Sequence, residues 1–347
     1  SIIAQTNHLK KNIKFEKNHS KRLEILTALL LSGLVFKEYI DNFNISIKEL
    51  EKLVKNYFDD DGFPLTRNPT DLIFFAKYLI LCKECIKDAQ QYVPEFLDTI
   101  IDKNLGCIKN IMTPDDKTPL FNGGKQINLA KFNKFLNDFD YKSKDKKNIV
   151  GGIYLSSIKN NAIFFDVGEP PGKGFSTRYQ SGPLSFEYYL DGNKIITNCG
   201  FGSNISPKAE LLSRLTSAQS TLTLNDTSVT KFERNKLINK VFGYSIKNTY
   251  KIYNLNFNND KNSIKCSASH NGYEKNFNCI HQREIVIDKE LDCLKGIDHI
   301  YKKKDGIPIR YVFRFHINPG LSVVKTMSGN SALIQLSKNK SLIFTTN

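Results

Sequence analysis

The stretch that decides the fold of the second half of this chain is Leu184-Ser185-Phe186-Glu187-Tyr188-Tyr189-Leu190-Asp191-Gly192-Asn193-Lys194-Ile195-Ile196-Thr197. Apolar side chains at 184, 186, 188 and 190 alternate with Ser185 and Glu187, which is the two-residue period of a strand with one buried face. Asp191-Gly192 is then a favoured pair for a two-residue hairpin turn. The stretch therefore predicts two antiparallel strands joined by a tight turn.

The same two-residue period recurs downstream. One further predicted strand carries its apolar side chains at alternate positions, namely Tyr311, Phe313, Phe315 and Ile317. Residues 333–336 and 342–344 are two more apolar segments on either side of a polar turn. From Ile149 onward we therefore predict an antiparallel β-sandwich.

The first half follows the helical period instead. Leucines recur at three- and four-residue spacing over residues 23–34, as they do on the buried face of a helix. Ser46 and Glu49 have the spacing of a capping box, which predicts that a second helix begins at Ser46. Pro69 predicts the start of a third helix, and a fourth is predicted over Pro94–Met112.

These two periods divide the chain. We predict an α+β multidomain protein with a helical domain at residues 1–140, a charged, solvated linker at 141–148 and a β-sandwich domain at 149–347. The chain begins at Ser1 in what reads as the middle of a domain, and it ends at Asn347 directly after a predicted strand. We therefore expect a fragment that is truncated at both ends.

Composition restricts the partners and the compartment. The net charge of +15 suits an anionic partner, but the lysines are scattered and no basic helix carries interleaved aromatic residues, which disfavours nucleic acid. The longest apolar stretch, Ile25–Phe36, is shorter than the roughly 20 residues that span a bilayer. Seven scattered cysteines argue against a disulfide framework, and Cys82 and Cys85 lie in a helical pattern that predicts buried thiols.

Three ordered segments around the hairpin carry a family resemblance. They are Arg178-Tyr179-Gln180-Ser181-Gly182-Pro183-Leu184-Ser185-Phe186-Glu187, Asn198-Cys199-Gly200 and Arg214-Leu215-Thr216-Ser217-Ala218-Gln219-Ser220-Thr221. Their order resembles the C-terminal domain of the heparinase II/III family of polysaccharide lyases, in which the pattern is roughly His-Ala-His-Ala-Asp-Ala-Leu-Ser-Phe-Glu, Asp-x-Gly and Arg-x-Thr-Ala-His-x-Thr. Weaker matches follow the family's order elsewhere, at Asn18-His19, Asp60-Asp61-Gly62, Thr66-Arg67-Asn68-Pro69, Leu120-Phe121-Asn122-Gly123-Gly124, His270-Asn271-Gly272-Tyr273, His281-Gln282-Arg283 and Arg314-Phe315-His316-Ile317-Asn318-Pro319.

The resemblance implies a fold, an activity and a location. It implies an (α/α) toroid followed by a β-sandwich, and cleavage of a uronic-acid polysaccharide, such as a glycosaminoglycan, by β-elimination. It also implies a bacterial protein of the periplasm or cell envelope, although unpaired cysteines are equally compatible with the cytoplasm. The identity of the polysaccharide, its sulfation and the oligomeric state stay open.

Such a reaction needs donors that neutralise the sugar carboxylate, a base for the neighbouring proton and an acid for the leaving oxygen. From the matched motifs we predict four catalytic residues, namely His19, Tyr179, His270 and Tyr273. We predict eight substrate-binding residues, namely Asn18, Arg67, Asn68, Arg178, His281, Arg283, Arg314 and His316. The structural alternatives are that each histidine only supports the fold and that Asn68 only caps a helix.

The chain departs from the family where the metal ligands would stand. Gln180, Asn198 and Gln219 occupy those positions, and neutral amides are poor zinc ligands. We therefore expect no metal or other cofactor, and instead a hydrogen-bonded amide cluster that holds the same strands.

The family's catalytic tyrosine would also fall near Thr70 or Asp71, where this chain has no phenol. Two hypotheses follow: an active lyase with a displaced acid and base, and an inactive glycan-binding or structural relative. They are distinguished by whether an imidazole and a phenol converge on Arg67 and Arg178.

Overall fold

The computed structural model of the protein divides into two compact units. It describes residues 2–142, 147–235, 237–239, 243–290, 293–303, 309–327 and 329–346. The first unit comprises residues 1–112, 116–152 and 171–179, and the second comprises 113–115, 153–170 and 180–347. Part of the predicted linker, residues 143–146, lies outside the described residues, so the boundaries at 140 and 149 stay predictions.

The first unit is helical. Its described elements are α1 (Ile2–Asn12), α2 (His19–Val35), α3 (Ile40–Tyr57), α4 (Pro69–Asp88), α5 (Glu95–Ile111), α6 (Ala130–Asp138) and the short strand β1 (Ile149–Val150). The leucine stripe of α2 lies in the core, where Leu23, Leu26, Leu29 and Leu30 have no accessible surface. The predicted stripe is therefore confirmed. Among the described residues, no helix is both long enough and apolar enough to cross a bilayer.

The predicted helix starts are right in two cases and wrong in one. Asn68 caps α4, because its Oδ1 accepts a hydrogen bond from the Thr70 backbone at 2.8 Å, and α5 begins directly after Pro94. However, α3 begins at Ile40, so Ser46 is a buried residue in its interior. Glu49 binds Arg22 at 2.5 Å and Lys52 at 2.7 Å instead of closing a capping box.

The second unit is built mainly of strands. They are β2 (Ile153–Ile158), β3 (Asn161–Asp166), β4 (Phe186–Leu190), β5 (Asn193–Thr197), β6 (Leu222–Leu224), β7 (Ile252–Asn259), β8 (Ser263–His270), β9 (Cys279–Asp288), β10 (Cys293–Lys302), β11 (Tyr311–Phe313), β12 (His316–Ile317), β13 (Ser322–Lys325), β14 (Ser331–Ser337) and β15 (Lys340–Thr345). Two described helices, α7 (Pro207–Ser213) and α8 (Glu274–Phe277), interrupt them. Within this unit the sheets run β2-β3-β4-β5-β12, β10-β9-β8-β7, β11-β6 and β13-β14-β15.

The predicted hairpin is confirmed as β4 and β5. Leu190 pairs with Asn193, and Asp191 and Gly192 have φ angles of 49° and 76°, as a two-residue turn with right-handed strand twist requires. Unlike the prediction, β4 is buried on both faces. Its polar face is covered by an ion pair in which Lys194 lies 2.9 Å from Glu187, with side-chain exposures of 2% and 0%.

The segment from Tyr311 to Ile317 is not the single strand that its period predicts. β11 pairs with β6, whereas β12 pairs with β5, so the chain changes sheets between them. Arg314 lies at the break, where its backbone N–H donates to Thr221 and its side chain donates to Thr223. These hydrogen bonds hold the chain where it passes from one sheet to the other, and there they interrupt the alternation of apolar and polar side chains.

The two larger sheets contact each other through their aromatic side chains. Tyr154 on β2 stacks on Phe257 of β7, with ring centroids 4.1 Å apart. The guanidinium of Arg283 on β9 lies 5.5 Å from the ring of Phe186 on β4. Helices combined with antiparallel sheets confirm the α+β class, while the arrangement of the helices as a toroid stays a prediction.

Removing one partner of the buried ion pair should destabilise the second unit strongly. Lys194→Met leaves the Glu187 carboxylate buried without its cation, which typically costs about 3–5 kcal/mol. The double change of Lys194→Met with Glu187→Leu should recover most of that loss, because no buried charge remains. Urea unfolding followed by circular dichroism measures both; a single variant within about 1 kcal/mol of the parent would show that the buried carboxylate of Glu187 does not depend on Lys194.

Candidate functional site

Four side chains of the first unit, distant in sequence, gather with Asp71, and together they make a group of five residues. Tyr57 donates a hydrogen bond from its hydroxyl to Asp71 Oδ2 at 3.1 Å, and Thr66 donates to the same oxygen at 2.9 Å. Arg178 Nη1 lies 3.4 Å from the other oxygen, Oδ1. The ring of His19 lies 4.8 Å from that of Tyr57. We call these five residues the Asp71 cluster.

Helix ends supply most of this cluster. His19 is the first residue of α2, which Asn18 caps by accepting a hydrogen bond from the Lys21 backbone at 3.0 Å. Tyr57 is the last residue of α3, and Asp71 lies in the first turn of α4. Since a helix end fixes its side chains more firmly than a loop does, three helices together position the titratable groups.

Aromatic packing fixes the two rings of the cluster. Tyr57 stacks on Phe75 of α4 with centroids 4.2 Å apart. Phe175 lies 5.3 Å from the His19 ring and 6.1 Å from the Tyr57 ring. The imidazole and the phenol are therefore held in an apolar setting beside the carboxyl group.

The cluster has a buried floor and an accessible edge. Asp71 is 6% exposed and Tyr57 is 1% exposed, whereas the Arg178 side chain is 52% exposed. His19 is half-buried and Asn18 is exposed. A ligand can reach the guanidinium and the imidazole first, with the carboxyl group and the phenol beneath them.

Burial sets the protonation of these groups. It lowers the pKa of His19, with help from the nearby charge of Arg22 and against the charge of Asp71. It raises the pKa of Asp71, which the charge of Arg178 and the two hydroxyl donors oppose. Burial also raises the pKa of Tyr57 well above its ordinary value. At neutral pH the cluster therefore presents a neutral imidazole, which can accept a proton.

Arg67 and Asn68 both form hydrogen bonds with the protein backbone. Arg67 is 8% exposed, and its guanidinium donates to the carbonyl oxygens of Gly151 at 2.8 Å and Gly152 at 3.1 Å. Asn68 caps α4 and has no accessible surface. Tyr57 and Arg178 thus share the carboxyl group of Asp71, and the His19 ring lies beside Tyr57. Arg67 is engaged in holding the loop at 151–152.

In the second unit, His270 and His281 form part of a buried chain of hydrogen bonds. The Gly272 backbone N–H donates to His270 Nδ1 at 3.1 Å, so His270 Nε2 carries the proton and donates to His281 Nδ1 at 3.1 Å. His281 Nε2 in turn donates to Asp298 at 2.6 Å. Both rings have no accessible surface, and burial lowers the pKa of each.

Three more predicted residues are also inaccessible. The guanidinium of Arg283 is paired with Asp298 at 2.8 Å and donates to two backbone carbonyls. Tyr273 donates to the Leu222 carbonyl at 2.9 Å and, like Tyr179, has no accessible surface. Because a polysaccharide cannot contact these side chains in this conformation, we do not assign His270, Tyr273 or Tyr179 to catalysis.

Arg314 and His316 lie nearer the surface of the second unit. Arg314 is 27% exposed and pairs with Asp226 at 3.2 Å. His316 is half-buried, with its Nε2 donating to the Ser217 carbonyl at 3.1 Å and its Nδ1 3.4 Å from Cys199 Sγ. Both remain proposed substrate-binding residues by position alone.

The residues at the family's metal positions do not fit a zinc ion. Gln180 and Gln219 both donate through their side-chain nitrogens to the Ser213 carbonyl, at 2.8 and 2.9 Å. Asn198 accepts from the Ser220 backbone at 2.9 Å. Zinc requires lone-pair donors such as imidazole, thiolate or carboxylate, and nowhere in the described ranges do three His, Cys, Asp or Glu side chains gather as a metal site would require.

Sequence reasoning missed Tyr57 and Thr66. The motif showed that Asp71 stands where a phenol is expected, but nothing local indicates that a phenol 14 residues earlier returns to it. The available signal was the placement of Tyr57 at the end of a helix just before the tight loop at 59–62. That loop folds back so that the Tyr57 carbonyl accepts from the Leu65 backbone at 2.8 Å.

Comparisons with known proteins agree with the motifs. The family model described as heparinase II/III-like, C-terminal, matches residues 144–347. Heparan sulfate lyase HepC from Pedobacter heparinus is similar in structure, with a TM-score of 0.71 and 17% identity over 98% of this chain and 54% of that one. Heparinase III is similar with a TM-score of 0.73 and 14% identity, over 98% of this chain and 56% of that one.

This chain therefore spans about half the length of the solved structures that it resembles. At these identities the similarity establishes a shared fold. The search of curated proteins found no match.

The buried histidine pair should make folding stability depend on pH. Each folded pKa is lowered, so the unfolded chain binds protons that the folded chain does not. Stability is then complete above about pH 6.5, the ordinary pKa of histidine, and falls as the pH drops below it, by up to about 1.4 kcal/mol per pH unit for each histidine. Urea unfolding between pH 7.5 and 5 measures this slope.

The variant His270→Gln should reduce that slope by up to about 1.4 kcal/mol per pH unit, because one titrating ring is gone. His299→Gln, a change of the same type at an exposed position on β10, is the control and should leave the slope unchanged. Equal slopes for the parent and His270→Gln would show that the pair does not control the acid sensitivity.

Proposed function

Because this chain belongs to the heparinase II/III-like family, we propose that it is a polysaccharide lyase that cleaves an acidic, uronic-acid-containing polysaccharide by β-elimination at the Asp71 cluster. One observation carries the proposal: an accessible guanidinium, a neutral half-buried imidazole and a buried carboxyl group lie together in the first unit. The substrate class follows from the family and from the accessible cation of the cluster.

Arg178 binds the uronate carboxylate. Its guanidinium is half exposed and Nη1 lies 3.4 Å from Asp71. A guanidinium has further donors, which can form a bidentate contact with a planar carboxylate. Negative charge grows on this carboxylate as the neighbouring proton leaves. A fixed cation beside it therefore stabilises the transition state more than the ground state.

His19 removes that proton. Its lowered pKa keeps the imidazole neutral at pH 7, so the ring can act as a general base. The carbon–hydrogen electron pair becomes the new carbon–carbon double bond as the bond to the leaving glycosidic oxygen breaks. The imidazolium then returns its proton to that oxygen, which completes the reaction without a second acid.

Asp71 supports His19 electrostatically. Its charge acts to raise the pKa of His19, so it stabilises the imidazolium that forms during proton transfer. Tyr57 and Thr66 hold the carboxyl group in place through their hydroxyl groups. In this arrangement Tyr57 is a positioning residue, which agrees with its exposure of only 1%.

A second function, binding without cleavage, is favoured by one observation. Asp71 stands at the position of the family's catalytic tyrosine, and the phenol that replaces it is buried. If His19 cannot perform both proton transfers, the same accessible edge would bind an acidic glycan without breaking it.

The direct test is ultraviolet absorbance from unsaturated uronate during incubation with a panel of acidic polysaccharides. We expect a rise that a chelator does not change. His19→Gln should lower kcat by about 10²- to 10⁴-fold, the usual contribution of a general base, while Arg178→Gln should raise KM and lower kcat together.

His8→Gln is the matched control, because His8 is an exposed histidine of α1 outside the cluster. Its activity should equal that of the parent chain. A flat trace for the parent together with saturable glycan binding would establish the binding function instead, and a rise that survives in His19→Gln would remove His19 from the mechanism.

A further inference from the structure

The end of α1 forms one wall of a basic pocket in the first unit. The pocket has a volume of about 440 Å³, which lies in the usual range of small-ligand sites. Its charged lining consists of four cations, Lys10, Lys11, Lys14 and Arg22, and one anion, Glu49. The pocket therefore carries an excess of positive charge.

The three lysines of this pocket are available to a ligand. Lys10, Lys11 and Lys14 are all exposed, and within the described part of the chain none of them forms an ion pair with a carboxylate. Glu49, the anion of the pocket, is bound by Arg22 at 2.5 Å instead. Three ammonium groups at one pocket repel one another, and a bound anion would relieve that repulsion.

Helix electrostatics explains only part of this lysine group. Lys10 and Lys11 lie in the last turn of α1, where a cation interacts favourably with the helix dipole. Lys14 lies beyond that helix, in the single helical turn Ile13–Phe15. A structural role at the helix end therefore leaves Lys14 without an explanation.

An exposed aromatic ring lies beside these cations. Phe15 is 68% exposed, and the ammonium group of Lys14 lies 5.1 Å from the centroid of its ring. Ile13 supplies a buried apolar surface to the same pocket. This combination suits a sugar with an anionic group, because the C–H groups of the sugar ring can pack on apolar surface while its anion contacts an ammonium group.

The pocket adjoins the Asp71 cluster through α2. His19 and Arg22 lie three residues apart on that helix, so their side chains are neighbours on its surface. The charge of Arg22 also helps to lower the pKa of His19, as expected for neighbouring groups. Arg22 is 28% exposed, so one helix connects the pocket to the accessible imidazole.

We propose that this pocket is a second anion-binding subsite for the polysaccharide, which holds a carboxylate or sulfate group farther along the chain from the uronate at Arg178. The inference rests on the proposed function, because it places both groups on one polymer. A polymer with anionic groups at intervals can occupy both positions, and such linked contacts increase affinity. The pocket lies away from the reacting atoms, so it should strengthen binding without changing the chemical step.

The test is how affinity depends on the length of the ligand. Calorimetry measures Kd for hyaluronan and heparin oligosaccharides from the disaccharide to the decasaccharide. The measurement uses a His19→Gln background, which removes the proposed base so that the ligand is not cleaved. Hyaluronan carries carboxylates only, whereas heparin also carries sulfates, so the two series identify the anion that the pocket binds. In this background, affinity should rise at the length at which the ligand reaches the pocket.

The double change of Lys10→Gln with Lys14→Gln should remove that rise. We expect Kd for the longer ligands to increase about three- to thirtyfold, the usual contribution of two exposed ion pairs, and Kd for the shorter ligands to stay the same. Phe15→Ala should weaken binding at the same lengths without changing the charge.

The matched control is Lys131→Gln with Lys134→Gln. These two lysines are exposed on α6 and do not line the pocket, so the control removes the same charge elsewhere in the first unit. It should keep the rise in affinity with length.

Three outcomes would overturn the inference. A rise that persists in the Lys10 and Lys14 variant, while Arg178→Gln abolishes binding at every length, removes the subsite and leaves the proposed function intact. Equal losses in the variant and its control would assign the effect to net charge. A chain that binds neither ligand at any length ends both the inference and the proposed function.

Discussion

The candidate site depends on one buried carboxyl group, that of Asp71. It binds the phenol at the end of α3, the hydroxyl of the following loop and the guanidinium of a residue more than a hundred positions later. A buried carboxylate is costly unless donors surround it, so the partners of Asp71 are constrained as a group. That constraint holds the end of α3 and the start of α4 together with Arg178, and the His19 ring packs on the same phenol.

Local patterns predicted most of the elements, and they were wrong where tertiary contacts decide. The leucine stripe of α2, the proline starts of α4 and α5 and the hairpin at Asp191-Gly192 depend on neighbours in sequence, so their signals were sufficient. The Ser46 pair has the spacing of a cap but lies inside α3, which begins at Ile40, and Glu49 pairs with Arg22 of α2. The alternation over residues 311–317 likewise could not indicate that this segment contributes strands to two different sheets.

The site was predictable in its residue types more than in their roles. Asn18, His19 and Arg178 came from motifs, and the structure places His19 and Arg178 in one cluster. The same reasoning named His270 and Tyr273, whose burial no local pattern reveals. The sequence around a histidine in a strand looks the same whether the ring faces solvent or faces another side chain. The ring of His270 faces another histidine, with the two nitrogens 3.1 Å apart. Tyr57 was missed because its role depends on a fold-back that only the structure supplies.

The side-chain amides at 180, 198 and 219 form hydrogen bonds at the positions where the family would have metal ligands. Gln180 and Gln219 bind one backbone carbonyl, and Asn198 binds the backbone next to Gln219, so the loops that a metal ion would join are joined by neutral hydrogen bonds. Such bonds need no ion and carry no charge that would have to be neutralised. The amides at these positions are therefore compatible with the proposed activity at the Asp71 cluster, which depends on the protonation of His19 and the accessibility of Arg178.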